Sequence, residues 1–236
     1  MPLGSLGSPF GQVKHRGVGD ATLGAGMTAA GPSIEAWSAL WRRLGARSDP
    51  RPLHEEISRA YSEPHRHYHT LEHIARVLAL FDGARERLRD ADAGELALWL
   101  HDFVYDPRAR DNEARSAAYV VRILDEGGVK PRVADRVTAL IMATCHLGPP
   151  EDPDARYVVD ADLSILGGTP AEFDRYERQV RLEYAFRSEA EWREGRTKIL
   201  RAFLERPRIF LTSEFDRFES SARSNLERSL RQLAAP

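Results

Sequence analysis

From Ile34 onward, apolar residues recur at helical spacing and almost nowhere at strand spacing. Ser33 is placed to cap a helix whose apolar face is Ile34, Trp37, Leu40, Trp41 and Leu44. A second helix after Pro52 carries Leu53, Ile57, Ala60 and Tyr61, and Thr70 reads as the N-cap of a long helix with Ile74, Val77, Leu78 and Phe81 inward. Residues 94–104 place Leu96, Trp99, Leu100 and Phe103 at i, i+3, i+4 and i+7. Asp111 opens a further helix that should stop at Gly127-Gly128. Pro131 starts the next one, through Val133, Val137, Leu140 and Ile141.

The run Gly148-Pro149-Pro150-Glu151-Asp152-Pro153 reads as a loop, followed by a segment from Tyr157 to Leu166 that carries Asp160 and Asp162. Pro170, Glu189 and Ser213 begin three more helices, rich in Arg and Glu outside. Val158-Val159 and Ile209-Phe210-Leu211 are the β-like fragments, too short for a sheet. The pattern predicts an all-α, single-domain helical bundle over 33–236. Eight of the 17 glycines fall in the first 32 residues, which lack hydrophobic periodicity and a signal-peptide core, so 1–32 reads as a disordered tail with Met27 as a candidate start.

Charge changes this picture little. A net charge of −2 without a basic stripe argues against a nucleic acid polymer as partner, and no apolar run is long enough for a membrane span. The single cysteine, Cys145, excludes an internal disulfide framework and fits a reducing cytoplasm. Beside His146 it reads as a small packing residue rather than a nucleophile.

The candidate chemistry lies in four side chains: His73, His101, Asp102 and Asp162, in the order His … His-Asp … Asp. The His-Asp pair interrupts the apolar segment from Leu96 to Val104, where burial is costly unless the charge is matched. A divalent cation is an economical partner for imidazole and carboxylate together. His101 and Asp102 are adjacent on the 94–104 helix, so their side chains diverge by about 100° around its axis and can both touch one ion that lies near the groove between them. His69 and His73 face one cavity from the start of the same helix. Two imidazoles and two carboxylates suit Mn, Fe, Co, Ni or Zn, with Mg also acceptable, and leave positions open for water and substrate.

On these residues the chain resembles the HD-domain superfamily of metal-dependent phosphohydrolases, whose signature is His … His-Asp … Asp on a helical core. Tyr68-His69-Thr70-Leu71-Glu72-His73 is also similar to the Tyr-His-Asn-x-x-His stretch of cyclic-nucleotide phosphodiesterases. Within the superfamily the chain most resembles a small bacterial group of predicted HD phosphohydrolases, from about Ile34 to Leu233. That likeness includes His101-Asp102-Phe103-Val104-Tyr105-Asp106, Asp111-Asn112-Glu113, Asp160-Ala161-Asp162-Leu163 and Ser221-Ala222-Arg223-Ser224-Asn225-Leu226.

The resemblance implies that His73, His101, Asp102 and Asp162 are metal ligands, with Asp162 preferred to Asp160. It implies that His69 protonates the leaving oxygen and that Thr70 replaces Asn at the helix cap. Binuclear relatives supply two more histidines between the His-Asp pair and the last Asp. Here only His146 lies there, so one ion is expected rather than two.

The expected activity is hydrolysis of a small phosphate ester, with a nucleotide as the leading substrate. Asp102 would orient or deprotonate water, and His146 would bind a phosphate oxygen or a second ion, or else merely close a helix. Asp106, Glu113 and Asp160 are expected to support the ligands from behind. His65 and His67 are assigned to the rim, and Arg66, Arg108 and Arg110 to ordinary surface roles. The alternatives are a non-catalytic module that binds metal and nucleotide, and, with less support, an iron oxygenase. The Arg/Glu-rich C-terminal helices are compatible with a homodimer.

Overall fold

The computed structural model describes residues 27–28 and 31–235, and the architecture is all-α. Ten α-helices follow one another among the described residues: α1 (Ile34–Arg43), α2 (Arg51–Ala60), α3 (Leu71–Asp82), α4 (Ala91–Leu100), α5 (Asn112–Glu126), α6 (Pro131–Ala143), α7 (Pro153–Leu163), α8 (Pro170–Glu183), α9 (Glu189–Leu204) and α10 (Asp216–Ala234). Before them, β1 (Met27–Thr28) pairs antiparallel with β2 (Gly31–Pro32), and β2 packs on α3. This ladder lies within the segment assigned to the tail; the rest of that tail is outside the described residues. None of the described helices is long and apolar enough to cross a membrane.

The bundle is organised around α4, whose side chains from Leu96 to Leu100 are all inaccessible to solvent. It touches α1, α3, α5, α6 and α7. Trp99 on α4 meets Trp37 of α1 edge-on at 5.2 Å between ring centres, and Trp37 stacks on Trp41 at 5.5 Å. This buried aromatic cluster fastens α1 to α4. At the other end of the chain, α10 lies across the 3-10 turn Ser164–Gly167. Asn225 of α10 donates to the Leu166 and Gly168 carbonyls at 2.9 Å each. Gly167 is required there, because a Cβ at that position would come within 2.7 Å of the Phe218 carbonyl oxygen.

Several helix boundaries differ from the periodicity. α4 begins at Ala91, capped by the Asp90 side chain, and ends at Leu100 rather than at residue 104. Carbonyls of its last turn and of the turn that follows are satisfied from elsewhere: Tyr61 donates to Trp99 O, and the buried Arg66 donates to Asp102 O and Phe103 O at 2.6 and 2.7 Å. These donors let the chain leave the helix without stranding buried acceptors. α7 begins four residues before Tyr157, because Asp152 caps the amides of Asp154 and Ala155 and Pro153 occupies the first turn. The proline-rich run is thus a loop ending in a helix start. Thr70 has the extended backbone of an N-cap, but its hydroxyl turns back to Tyr68 O and caps nothing. Val158 and Val159 lie inside α7, and 209–211 forms no strand.

Candidate metal centre

Four helix ends meet beside the core. His73 lies in the first turn of α3, His101 is the C-cap of α4, His146 follows the end of α6, and Asp162 is the penultimate residue of α7. α4 and α7 touch each other and both α3 and α6, which brings these ends together. Three of the four are C-terminal ends, where the helix dipole is negative and favours a cation. Asp102 sits in the turn after α4, not on the helix, which removes the expected divergence from His101. The two side chains point to one place.

The Nε2 atoms of His73 and His101 are 3.2 Å apart. Asp162 Oδ1 is 3.3 Å from the first and 3.4 Å from the second. Asp102 Oδ2 lies 2.9 Å from His101 Nε2 and 3.6 Å from His73 Nε2. An ion bound at about 2.1 Å places neighbouring donors roughly 3.0–3.4 Å apart, so the spacing suits a first-row divalent metal. His101 Nδ1 donates to Leu98 O at 3.1 Å, which in the neutral ring leaves Nε2 as a lone pair facing the cluster. Both imidazoles are sealed, at 3 % and 2 % exposure, whereas the Asp102 and Asp162 carboxylates keep 15 % each. Access is therefore from the carboxylate side. The His73, His101 and Asp162 cluster could hold a metal ion.

Electrostatics agree with that donor set. Burial pushes the Asp102 and Asp162 carboxyls up, but the neighbouring imidazoles, His101 foremost, hold both below the usual carboxylate range. Burial pulls His101 down, and those two carboxylates drive it well above the ordinary histidine value. His73 is lowered, by burial. Two carboxylates held anionic against His101 make a site that attracts positive charge, and a divalent cation could supply it in place of the imidazole proton.

Beside the cluster stands a second constellation that periodicity alone did not single out. Glu183, at the end of α8, is buried and accepts from the amides of His67, Tyr68 and His69 at 2.8, 2.8 and 3.0 Å. Its other oxygen accepts from His69 Nδ1 at 2.7 Å and from the Tyr105 hydroxyl at 2.8 Å. Burial opposes the charge, yet His69 and these amides hold the Glu183 carboxyl down at about 2. The His69 ring stacks on Tyr105 at 4.2 Å between centres. Burial lowers the His69 pKa, but the Asp102 charge and Glu183 outweigh it, and the net shift is upward. Among the described residues His69 Nε2 makes no hydrogen bond.

The remaining expected residues fall as follows. Asp162 enters the cluster, and Asp160 does not: it turns away to accept from Leu211 N, Thr212 N and the Thr212 hydroxyl. Burial pushes the Asp160 carboxyl up to about 6 against the pull of those donors. Asp106 is exposed and ties its own loop, accepting from Arg108 N while Asn112 brackets its backbone. Glu113 faces Cys145, whose thiol it raises together with burial. None of these three hydrogen-bonds a cluster imidazole among the described residues. The role expected of them falls to Leu98 O for His101 and, for His69, to Glu183.

His146 is drawn to the cluster by its Nε2, 2.9 Å from Asp162 Oδ2, with the backbone at φ +54°. His65 and His67 are exposed, and His65 Nε2 lies 2.9 Å from Tyr105 O. Arg66 is no surface residue: its side chain is fully buried, pairing with Glu63 and holding the turn that carries Asp102.

Glu183 was legible in one respect. Phe173, Tyr176, Val180 and Glu183 share a helix face, so a carboxylate stands at the end of an apolar stripe. What it binds was not legible, since its partners, His67 to His69 and Tyr105, lie 78 to 116 residues earlier. Comparisons with protein-family models, with curated proteins and with solved structures found no match to this chain.

Proposed function

We propose that this chain is a metal-dependent phosphohydrolase of small phosphate esters, with a nucleotide as the favoured substrate and one ion per site, of the HD-domain kind its motifs resemble. The observation that carries this reading is the convergence of two imidazole nitrogens and two carboxylate oxygens at 2.9 to 3.6 Å on an accessible, anionic pocket. His73, His101, Asp102 and Asp162 would hold the ion. A bound divalent cation supplies a Lewis acid that lowers the pKa of water and neutralises phosphoryl charge.

The protein's own groups divide the remaining work. Asp102 stays ionised at neutral pH, so its carboxylate can accept from and orient the attacking water. Arg66 holds that carboxylate's backbone in place through the Asp102 and Phe103 carbonyls. His69 donates a proton from Nε2 to the leaving oxygen, while Glu183 fixes the ring and stabilises its protonated form. Tyr105 stacks on the same ring and limits its rotation.

Elemental analysis of the purified protein should find a transition metal. A panel of phosphomonoesters and phosphodiesters with that metal should then release phosphate or alcohol from at least one member. Asp102→Ala should abolish release with helical circular dichroism retained; unchanged turnover in that variant would overturn the assignment.

A further inference from the structure

Arg206, which reaches His146, is bonded far less than Arg66. Arg66 is engaged by Glu63 and by the carbonyls of His69, Asp102 and Phe103. Arg206 makes one side-chain hydrogen bond among the described residues, from Nη2 to the His146 carbonyl at 2.7 Å, and no ion pair. It is half-buried, and its remaining N–H groups keep contact with solvent. Burial lowers its pKa with no carboxylate to raise it. A partly desolvated guanidinium whose spare donors meet solvent, with no carboxylate partner among the described residues, has donors available to an anion.

Its position is built rather than incidental. The guanidinium lies over the Phe203 ring at 4.5 Å, and the same ring meets His146 edge-on at 6.1 Å. His146 in turn reaches Asp162 through its imidazole. The backbone that carries Arg206 is pinned by Arg223, which donates to Leu204 O, Arg206 O and Pro207 O. Arg206 therefore stands one residue removed from the cluster, on the His146 side.

We propose that Arg206 forms an oxyanion subsite, taking a second anionic group, carboxylate or phosphate, of a phosphate ester bound at the metal centre. A guanidinium with several free N–H donors matches that geometry in a way a lone ammonium would not. The subsite rests on the hydrolase reading for the group at the cluster, but binding tests it without turnover.

Calorimetry on the Mn-loaded protein compares two matched pairs: 3-phosphoglycerate against glycerol 3-phosphate, and adenosine 3′,5′-bisphosphate against adenosine 5′-monophosphate. In at least one pair, the ligand with the added anionic group should bind about tenfold or more tightly, as a charge-assisted pair provides. Arg206→Met, which keeps the apolar stem over Phe203, should erase that preference and leave the simpler ligand within about twofold; Arg206→Lys should keep part of it. No preference in either pair, or one that survives Arg206→Met in a protein of unchanged circular dichroism, overturns the subsite. Equal weakening of both members of a pair also overturns it, since Arg206 would then act only through His146. A lost preference in a protein that hydrolyses no ester leaves the subsite standing and removes the hydrolase reading; turnover with the preference untouched does the reverse.

Discussion

His73 Nε2 and His101 Nε2 face each other at 3.2 Å, and His101 Nδ1 is already committed to Leu98 O. When neither Nε2 carries a proton, the two lone pairs oppose each other, an arrangement that a bound cation relieves. Mn or Zn at about one hundred times its Kd should therefore stabilise the fold by about 2.7 kcal/mol, visible as a rise in Tm. His73→Ala should remove that rise. A rise of the same size in the variant would place the ion elsewhere.

Asp160 and Asp162, two residues apart on α7, should separate cleanly. Asp162→Asn is expected to lose metal binding in titration calorimetry with little change in helicity. Asp160→Ala should keep metal affinity within about twofold and lose about 1–3 kcal/mol of stability in urea unfolding, because the buried Leu211 and Thr212 amides are left without their acceptor.

Glu183 sets an acid limit. Its carboxyl is lowered from 4.5 to about 2, so the ionised form stabilises the fold; that contribution is complete above about pH 4.5 and is lost as pH falls towards 2. Glu183→Gln should cost about 1–3 kcal/mol at pH 7, and its deficit against the native protein should shrink on titration below pH 4.5. A deficit constant from pH 7 to pH 3 would contradict the pairing with His69.

Removing His69 should act on chemistry rather than on metal content. His69→Ala is expected to lower kcat by about 10²–10⁴-fold with KM and bound metal nearly unchanged, the range for loss of a general acid. Substrates with better leaving groups should suffer less. An equal loss for 4-nitrophenyl and alkyl esters would remove His69 from proton donation.

Arg66→Met tests the turn that carries Asp102. Each buried carbonyl it orphans costs about 1–3 kcal/mol, and the loosened Asp102 should weaken metal binding by about 10–100-fold. Melting temperature and metal titration, measured together, read both effects.

Periodicity alone placed the helices, because an amphipathic face is a local property repeated every three or four residues. It also supplied His73, His101, Asp102 and Asp162 as a candidate set, since charged groups at the borders of apolar segments need a reason to be there. The caps were less legible. Ser33 and Asp111 stand at helix starts as read, yet Asp111 makes no side-chain cap bond and Thr70 turns to Tyr68 instead. The early end of α4 had no local signal: the donors that relieve its carbonyls, Tyr61 and Arg66, belong to other segments.

The sequence by itself determined an all-helical chain and the residue types that a metal would want, because both follow from spacing and composition along the chain. Only the tertiary structure decided that Asp102 turns towards His101 and that Asp162 rather than Asp160 completes the cluster. It alone tied His69 to Glu183 and left Arg206 without a counter-ion among the described residues. Those outcomes depend on which hydrogen-bond partners arrive from distant helices, and no periodicity encodes them.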